Sequence, residues 1–512
     1  MKRCLQKLNP FLNSLIDVKN LIDIFDTILN YFSKRKLAKT LNNKSKMRKI
    51  TIALLAGMVS LLAIGQDVTG QWNGILKVQG TQLRLVFNVL KTENGYTATM
   101  DSPDQGATGI PVTSTSFENA ILKFSIANAG IDYEGIIGND QIVVGNFKQS
   151  GFTFPMNLSK APVEKEIIVR PQEPAKPYAY HSEDITFENN SAGITLAGTL
   201  TLPQKEGVFP AVVLISGSGP QNRDEELLGH KPFLVLADFL TKNGIAVLRF
   251  DDRGTALSKG DFNTATTLDF SADVEAGVQY LKTRKEINKT KIGLIGHSEG
   301  GIIAPMVANN SNDIAFVILL AGTGIPGDQL LLLQQELIGK AAGMPNEDLQ
   351  KAHTMNKGIF EMVKKSTNTA QLKTELTTYV KQALAADPNA TKIAGMSEED
   401  YIKLQINQIA NPWMQYFIKY DPAIALEKVN CPVLALNGEK DLQVPPKENL
   451  EAIKNALAKG GNKKITTKVL PNLNHLFQEC ETGSPNEYAM IEQTFSPSAL
   501  TEILKWLQIQ IK

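Results

Sequence analysis

Two textures of hydrophobic and polar positions divide the chain. Between Gln66 and about Lys160, apolar and polar residues alternate in short runs: Gly70 to Val78, Leu83 to Val89, Leu122 to Ile126, Tyr133 to Ile137 and Gln141 to Gly145, with Asn94-Gly95 as a turn signal. A period of two buries one face of a strand, so this stretch predicts a small antiparallel barrel or sandwich. Further on the runs become continuously apolar. Ala211 to Ile215, Ile245 to Phe250, Ile292 to Ile295, Ala315 to Leu320, Pro432 to Leu436 and Ile465 to Leu470 read as strands covered on both faces, the mark of a parallel sheet flanked by helices. Residues 161–180, rich in Pro and Glu up to Pro177, predict an extended linker between a β domain at 66–160 and an α/β domain at 181–512. About 100 residues of helical character part Leu320 from Pro432, where a simple connection takes about 2–6. They predict a helical cap over about 328–428.

The start of the chain has a third texture. Met47-Arg48-Lys49 leads into the apolar stretch Ile50 to Ile64 and a small-residue exit at Ala63 and Gly65. This is the pattern of a secretory signal peptide, and it is shorter than the roughly 20 apolar residues of a membrane span. An exported protein with no membrane span after processing is expected, periplasmic or extracellular. A signal belongs at the N-terminus, so translation is expected to start at Met47, with residues 1–46 an artefact of start-site choice or an unusually long lead.

Removing residues 1–65 changes the charge balance. They hold 12 of the 53 basic and 3 of the 52 acidic residues, so the remainder carries 41 against 49, a net of −8 in place of +1. No basic stripe is left to meet nucleic acid or an anionic membrane. With Cys4 gone, Cys431 and Cys480 remain, too few for a disulfide framework, and no metal-ligand cluster is visible.

The chemistry is concentrated at Gly296-His297-Ser298-Glu299-Gly300-Gly301, which ends an apolar strand and opens the helical stretch Gly301 to Ala308. A serine hydroxyl is a poor nucleophile until a base takes its proton, and a sharp strand-to-helix turn lifts it toward that base. Glycines at 296 and 300 are expected because any Cβ there would collide with neighbouring chain. An acid and then a base should follow at later strand ends. Asp441 follows the strand Pro432 to Gly438, with Glu439 as the alternative acid; His475 follows Ile465 to Leu470. The other four histidines, His181, His230, His297 and His353, are read as surface or satisfied core residues, with the His297 side chain pointing away from Ser298. In this scheme His475 takes the Ser298 proton and Asp441 fixes its tautomer. The backbone N–H of Glu299 is one oxyanion donor, and the second comes from the loop Ser216-Gly217-Ser218-Gly219-Pro220, by way of Ser218 or alternatively Gly217.

These residues resemble a known group. On Ser216 to Gln221, Phe250-Asp251-Asp252-Arg253-Gly254, Gly296 to Gly301 and Asn437 to Asp441, the region from about Tyr180 to Lys512 is similar to the α/β-hydrolase superfamily. It looks more closely like the serine esterase and S33-type aminopeptidase-like branch of secreted bacterial enzymes. Ser216 stands where many lipases and esterases have histidine, which bears on the second oxyanion donor. Asp251, Asp252 and Arg253 are expected to tie loops together by ion pairing, with substrate contact by Arg253 as the alternative. In the cap, Leu330 to Leu333 and the cluster Trp413, Met414, Tyr416 and Phe417 are candidate pocket walls. Together these features imply a cofactor-independent serine hydrolase that cleaves small or medium carboxylic esters through an acyl-enzyme. A serine aminopeptidase or peptidase is the alternative, and a non-catalytic binding protein on the same fold is the third.

Overall fold

A computed structural model describes residues 67–512 apart from 79–80, 106, 139, 150–151, 166–169, 312 and 387–396. The expected signal segment at 47–65 and the residues before it lie outside the described residues. No helix among the described residues is long and apolar enough to cross a membrane.

The alternating N-terminal stretch forms a closed antiparallel barrel, which settles the choice between barrel and sandwich. Its strands are β1 (Gly70–Val78), β2 (Thr81–Thr92), β3 (Gly95–Ser102), β4 (Ala107–Pro111), β5 (Ser114–Glu118), β6 (Ile121–Ile126), β7 (Ile131–Ile137), β8 (Ile142–Gln149), β9 (Phe152–Pro155) and β10 (Leu158–Ser159). The ring runs β1-β2-β3-β5-β6-β7-β8, and the short β10 closes it by pairing with both β8 and β1; β4 hangs on β3 and β9 on β8. Along β7 every second residue is buried. The inward set includes Trp72, Phe87, Phe124, Tyr133 and Phe147, and the Phe87 and Phe124 rings stack at 4.3 Å, so aromatic side chains fill the interior.

The second sheet has the order β11-β12-β14-β13-β15-β16-β17-β18. Its strands are β11 (His181–Asn189), β12 (Ile194–Leu202), β13 (Phe209–Ile215), β14 (Ala246–Phe250), β15 (Ile287–His297), β16 (Ile314–Leu320), β17 (Val433–Gly438) and β18 (Ile465–Leu470). From β14 to β18 the pairings are parallel, and β11 and β12 add an antiparallel edge. The helices are α1 (Pro232–Lys242), α2 (Thr267–Thr283), α3 (Gly300–Asn310), α4 (Gly327–Ala341), α5 (Asn346–Lys365), α6 (Thr369–Ala386), α7 (Glu398–Ile409), α8 (Pro412–Lys419), α9 (Ala423–Leu426), α10 (Pro446–Lys459) and α11 (Pro497–Gln510). Successive strand residues point to opposite faces. Val213, Leu248, Leu294 and Val317 pack with α2, α3 and α10, while Val212, Val247, Ile295 and Ile318 pack with α1 and α11. That two-sided burial is why these strands read as unbroken apolar runs.

Strand order sets the place of the site. The chain passes from β13 to β14 on one side, then returns to β15 on the other, so the loops after β13 and β15 diverge at the carboxyl ends of the strands and leave a crevice. The six helices α4 to α9, inserted between β16 and β17, form the cap. It has its own core of residues such as Phe360, Val363, Leu376, Val380 and Ile402, and meets α3 through Leu330 and Phe417.

The later half of the linker is fastened to the α/β domain. Arg170 donates to the carbonyls of Gly229, Ile491 and Ala489, and Gln172 exchanges hydrogen bonds with the backbone of Thr494 and Phe495. His230 holds the same segment from inside. Its Nδ1 accepts from the Thr494 hydroxyl, its Nε2–H donates to the Tyr488 carbonyl, and the residue is 1% exposed. Burial, with the nearby Arg170 charge, pulls its pKa down to about 4. The unfolded chain binds a proton here below about pH 6.5 and the folded one does not, so this site's stability is full above that value and lost as pH falls toward 4. Thermal melts between pH 7 and pH 4 should show a shallower acid-induced loss in His230→Gln than in the wild type.

Candidate active site

Ser298 sits between β15 and α3 with φ of 53°, in the left-handed region that costs a non-glycine residue energy and survives only where the surroundings fix it. Its N–H donates to the Leu320 carbonyl at 2.9 Å, and its carbonyl accepts from Gly301. A Cβ at 296 would lie 2.0 Å from the Gly300 carbonyl oxygen, and one at 300 would lie 2.2 Å from that of Ile215. Backbone fills the space on both sides of the serine, so only glycine fits at either position.

Asp441 and His475 arrive from the two strands at the other end of the parallel run. His475 Nδ1 lies 2.8 Å from Asp441 Oδ2, and both residues are buried. The other carboxylate oxygen accepts the Gln443 and Val444 amides at 2.8 and 2.9 Å, which fixes its orientation. With Nδ1–H directed at Asp441, the remaining lone pair of the imidazole is on Nε2. Glu439, the alternative acid, is exposed and accepts from the Asn472 amide instead.

Ser298 and His475 line one cavity of about 340 Å³ under the cap. The wall also includes Ser218, Glu299, Leu227, Leu330, Leu331, Trp413, Met414, Phe417, Val444 and Leu476, and no Lys or Arg. Trp413 and Phe417 stack at 5.4 Å. Tyr416 is placed elsewhere: it stacks on Tyr420 and lines a separate groove with Thr266, Thr369 and Lys373. On the short helix α8 it projects from a different face than 413 and 417, four residues apart and so one above the other.

The loop after β13 departs from expectation at Gly217. Its N–H donates to Glu225 Oε1 at 2.7 Å and is committed there, which removes it as an oxyanion donor. The amides of Ser218 and Glu299 donate to no other described group. Ser216 Oγ lies 2.8 Å from Asp252, which also accepts the Gln221 amide and whose carboxyl burial pushes up to about 8. Asp251 pairs with Arg223, and Arg253 forks onto Asp273 and does not reach the cavity.

Two carboxylates here escaped sequence reasoning. Glu225 Oε1 is 2.9 Å from His297 Nδ1, and His297 Nε2 is 3.0 Å from the His475 carbonyl, so one buried chain of hydrogen bonds joins the loop after β13 to the loop carrying His475. His297 is a satisfied core residue that also lines the cavity, with its ring centroid 4.8 Å from that of His475. Burial pulls its pKa down, and the charge and hydrogen bond of Glu225 outweigh that, leaving it above the ordinary histidine value. The second is the side chain of Glu299, which is 2% exposed and accepts from Ser218 Oγ, Thr267 Oγ1 and Trp413 Nε1. Only its backbone amide was expected to matter. A glutamate after the serine is visible in sequence, but its partners lie 81, 32 and 114 residues away.

Comparison with known proteins finds similarity over part of the chain. Residues 274–479 match the family described as BAAT / acyl-CoA thioester hydrolase C terminal. Esterase EstD of Thermotoga maritima is 28% identical over 338 residues, covering 65% of this chain and 68% of that protein. Among solved structures, the alpha/beta hydrolase GrgF of Penicillium sp. is similar at 16% identity with a TM-score of 0.40, over 65% of this chain and 99% of that one. The Pyrococcus furiosus esterase Pf2001 is similar at 15% identity with a TM-score of 0.40, over 68% and 100%. The sheet order and the serine turn are those of an α/β-hydrolase fold, and over part of its length the chain is similar in sequence to a thioester hydrolase family and to an esterase.

Proposed function

We propose that this protein is an exported serine hydrolase that cleaves uncharged carboxylic esters through an acyl-enzyme. The observation that carries the reading is that Ser298 and His475 line one cavity, with Asp441 hydrogen-bonded to the far nitrogen of the imidazole. Ser298 Oγ attacks the ester carbonyl while His475 Nε2 takes its proton, and the negative charge on the carbonyl oxygen is met by the Glu299 and Ser218 amides. The alcohol leaves with the proton from His475. Water then attacks the acyl-serine by the same route in reverse and releases the acid. Export rests on the basic lead and apolar middle at 47–65.

The walls support an uncharged acyl group. Leu330, Leu331, Met414 and Phe417 offer apolar burial, and the lining has no Lys or Arg. A free amino terminus would need an unengaged carboxylate, whereas Glu225 and Glu299 are each held by protein donors, which argues against the aminopeptidase alternative. The match to the thioester hydrolase family favours a second reading, thioester cleavage by the same residues. The phosphates of coenzyme A would find no Lys or Arg in this lining, so we place the oxygen ester first.

A panel of p-nitrophenyl esters of increasing acyl length, beside aminoacyl-p-nitroanilides and acyl-CoA thioesters, tests the reading. Ester turnover should dominate, and Ser298→Ala should lower kcat by roughly 10⁴-fold or more and abolish labelling by a fluorophosphonate. Faster anilide cleavage would reverse the substrate assignment, and undiminished labelling would mean another nucleophile.

Glu225→Ala should leave the buried His297 without its counter-charge and release the Gly217 amide. Urea melts should then show a loss of about 3–5 kcal/mol, accompanied by a fall in kcat as the His475 loop loosens. Because His297 is raised above its ordinary value, the wild-type pair contributes fully below about pH 6.5 and is lost as pH rises through the folded value. The wild-type advantage over Glu225→Ala should shrink on alkalinisation.

A further inference from the structure

The Glu299 carboxylate joins three segments that are far apart in the chain. Oε2 accepts from Ser218 Oγ at 2.8 Å on the loop after β13, and Oε1 accepts from Thr267 Oγ1 at 2.7 Å at the start of α2 and from Trp413 Nε1 at 2.8 Å on cap helix α8. All three donors are neutral, and among the described residues no cation pairs with the carboxylate. Such a group is expensive to bury, and burial pushes its carboxyl above the usual range while the hydrogen bonds oppose this. An indole N–H can only donate, so Trp413 in this apolar wall needs an acceptor, and an ionised carboxylate takes all three donors without reversing any. The same residue supplies the amide beside Ser298. Displacing its side chain therefore disturbs the pocket wall and the reacting centre together.

We infer that Glu299 is a positioning residue that latches the cap onto the serine turn, holding the Trp413–Phe417 wall at a fixed distance from Ser298 and so setting which acyl lengths the enzyme accepts. This rests on the ester hydrolase reading above. The latch is specific to one cap helix: α8 carries both Trp413 and Phe417, and Phe417 packs with Ile302 and Met306 of α3, the helix that Glu299 opens. Removing the indole N–H alone leaves that apolar packing in place but frees the wall to shift.

The test compares acyl-length profiles of p-nitrophenyl esters for the wild type, Trp413→Phe, Glu299→Ala and Glu299→Gln, with hydrogen exchange of residues 412–419 read on the same proteins. Trp413→Phe should raise KM for the preferred acyl length about tenfold, the order expected for one lost hydrogen bond to a buried carboxylate, with kcat falling less than about threefold. Glu299→Ala should flatten the length profile, lower kcat as well, and speed exchange across 412–419. Glu299→Gln keeps an acceptor oxygen for Thr267 and Trp413 and can donate to Ser218, so it should recover most of what alanine loses in both readouts. A Trp413→Phe profile that superimposes on the wild type, or a glutamine variant no closer to wild type than alanine, would overturn the latch. Failure of the hydrolase reading looks different. The wild type would then cleave no ester, while exchange at 412–419 would still rank alanine above glutamine if the latch exists.

Discussion

Lack of room around Ser298 governs the rest of the structure. The turn from β15 into α3 brings the backbone at 300 against the Ile215 carbonyl at the end of β13, and the amide of 298 against the Leu320 carbonyl at the end of β16. Three adjacent strands therefore terminate at one level, held by backbone contacts that no side chain can enter. Two consequences follow from this crowding. The serine is forced to a positive φ that exposes its hydroxyl at the crevice, and the loops after β13 and β16 begin at its edge. Ser298 and the amides proposed to meet the oxyanion leave these strand ends, Asp441 and His475 follow the next two strands, β17 and β18, and Trp413 is carried by the cap inserted after β16.

The parts of this arrangement that could be read in the sequence are those encoded locally. Continuous apolar runs marked the parallel strands because each buries both faces, and strict alternation marked β1, β7 and β8 of the barrel because each buries one. Ser298, Asp441 and His475 were singled out because each follows a strand, and strand ends are visible as an apolar run meeting polar or glycine residues. The antiparallel edge β11 and β12 gave no comparable signal. In β11 only Phe187 and Asn189 are buried, and the rest mix partly buried with exposed positions, so its pattern is mixed.

What stayed illegible depends on pairing across the chain. His297 looked like a bystander because its partner Glu225 lies 72 residues away on a loop with no periodicity. The Gly217 amide looked free because nothing local predicts the carboxylate that takes it. Tyr416 was grouped with Trp413 and Phe417 by proximity in sequence, whereas helical geometry separates their directions on α8. The side chain of Glu299 was passed over because the motif accounts for its backbone alone. In each case the missing information is a tertiary partner for a polar group, and polar partners leave weaker traces in a single sequence than apolar faces do.

The fastening of Arg170 and Gln172 to the segment around residues 489–495 spans more than 300 positions. During synthesis these side chains leave the ribosome before almost all of the domain they lock onto. The barrel and the early strands can pair as they emerge, but this closure must wait until the last helix is close at hand. The linker thus acts as a late seal on the folded chain, and its ordering reports that the far end of the polypeptide has found its place.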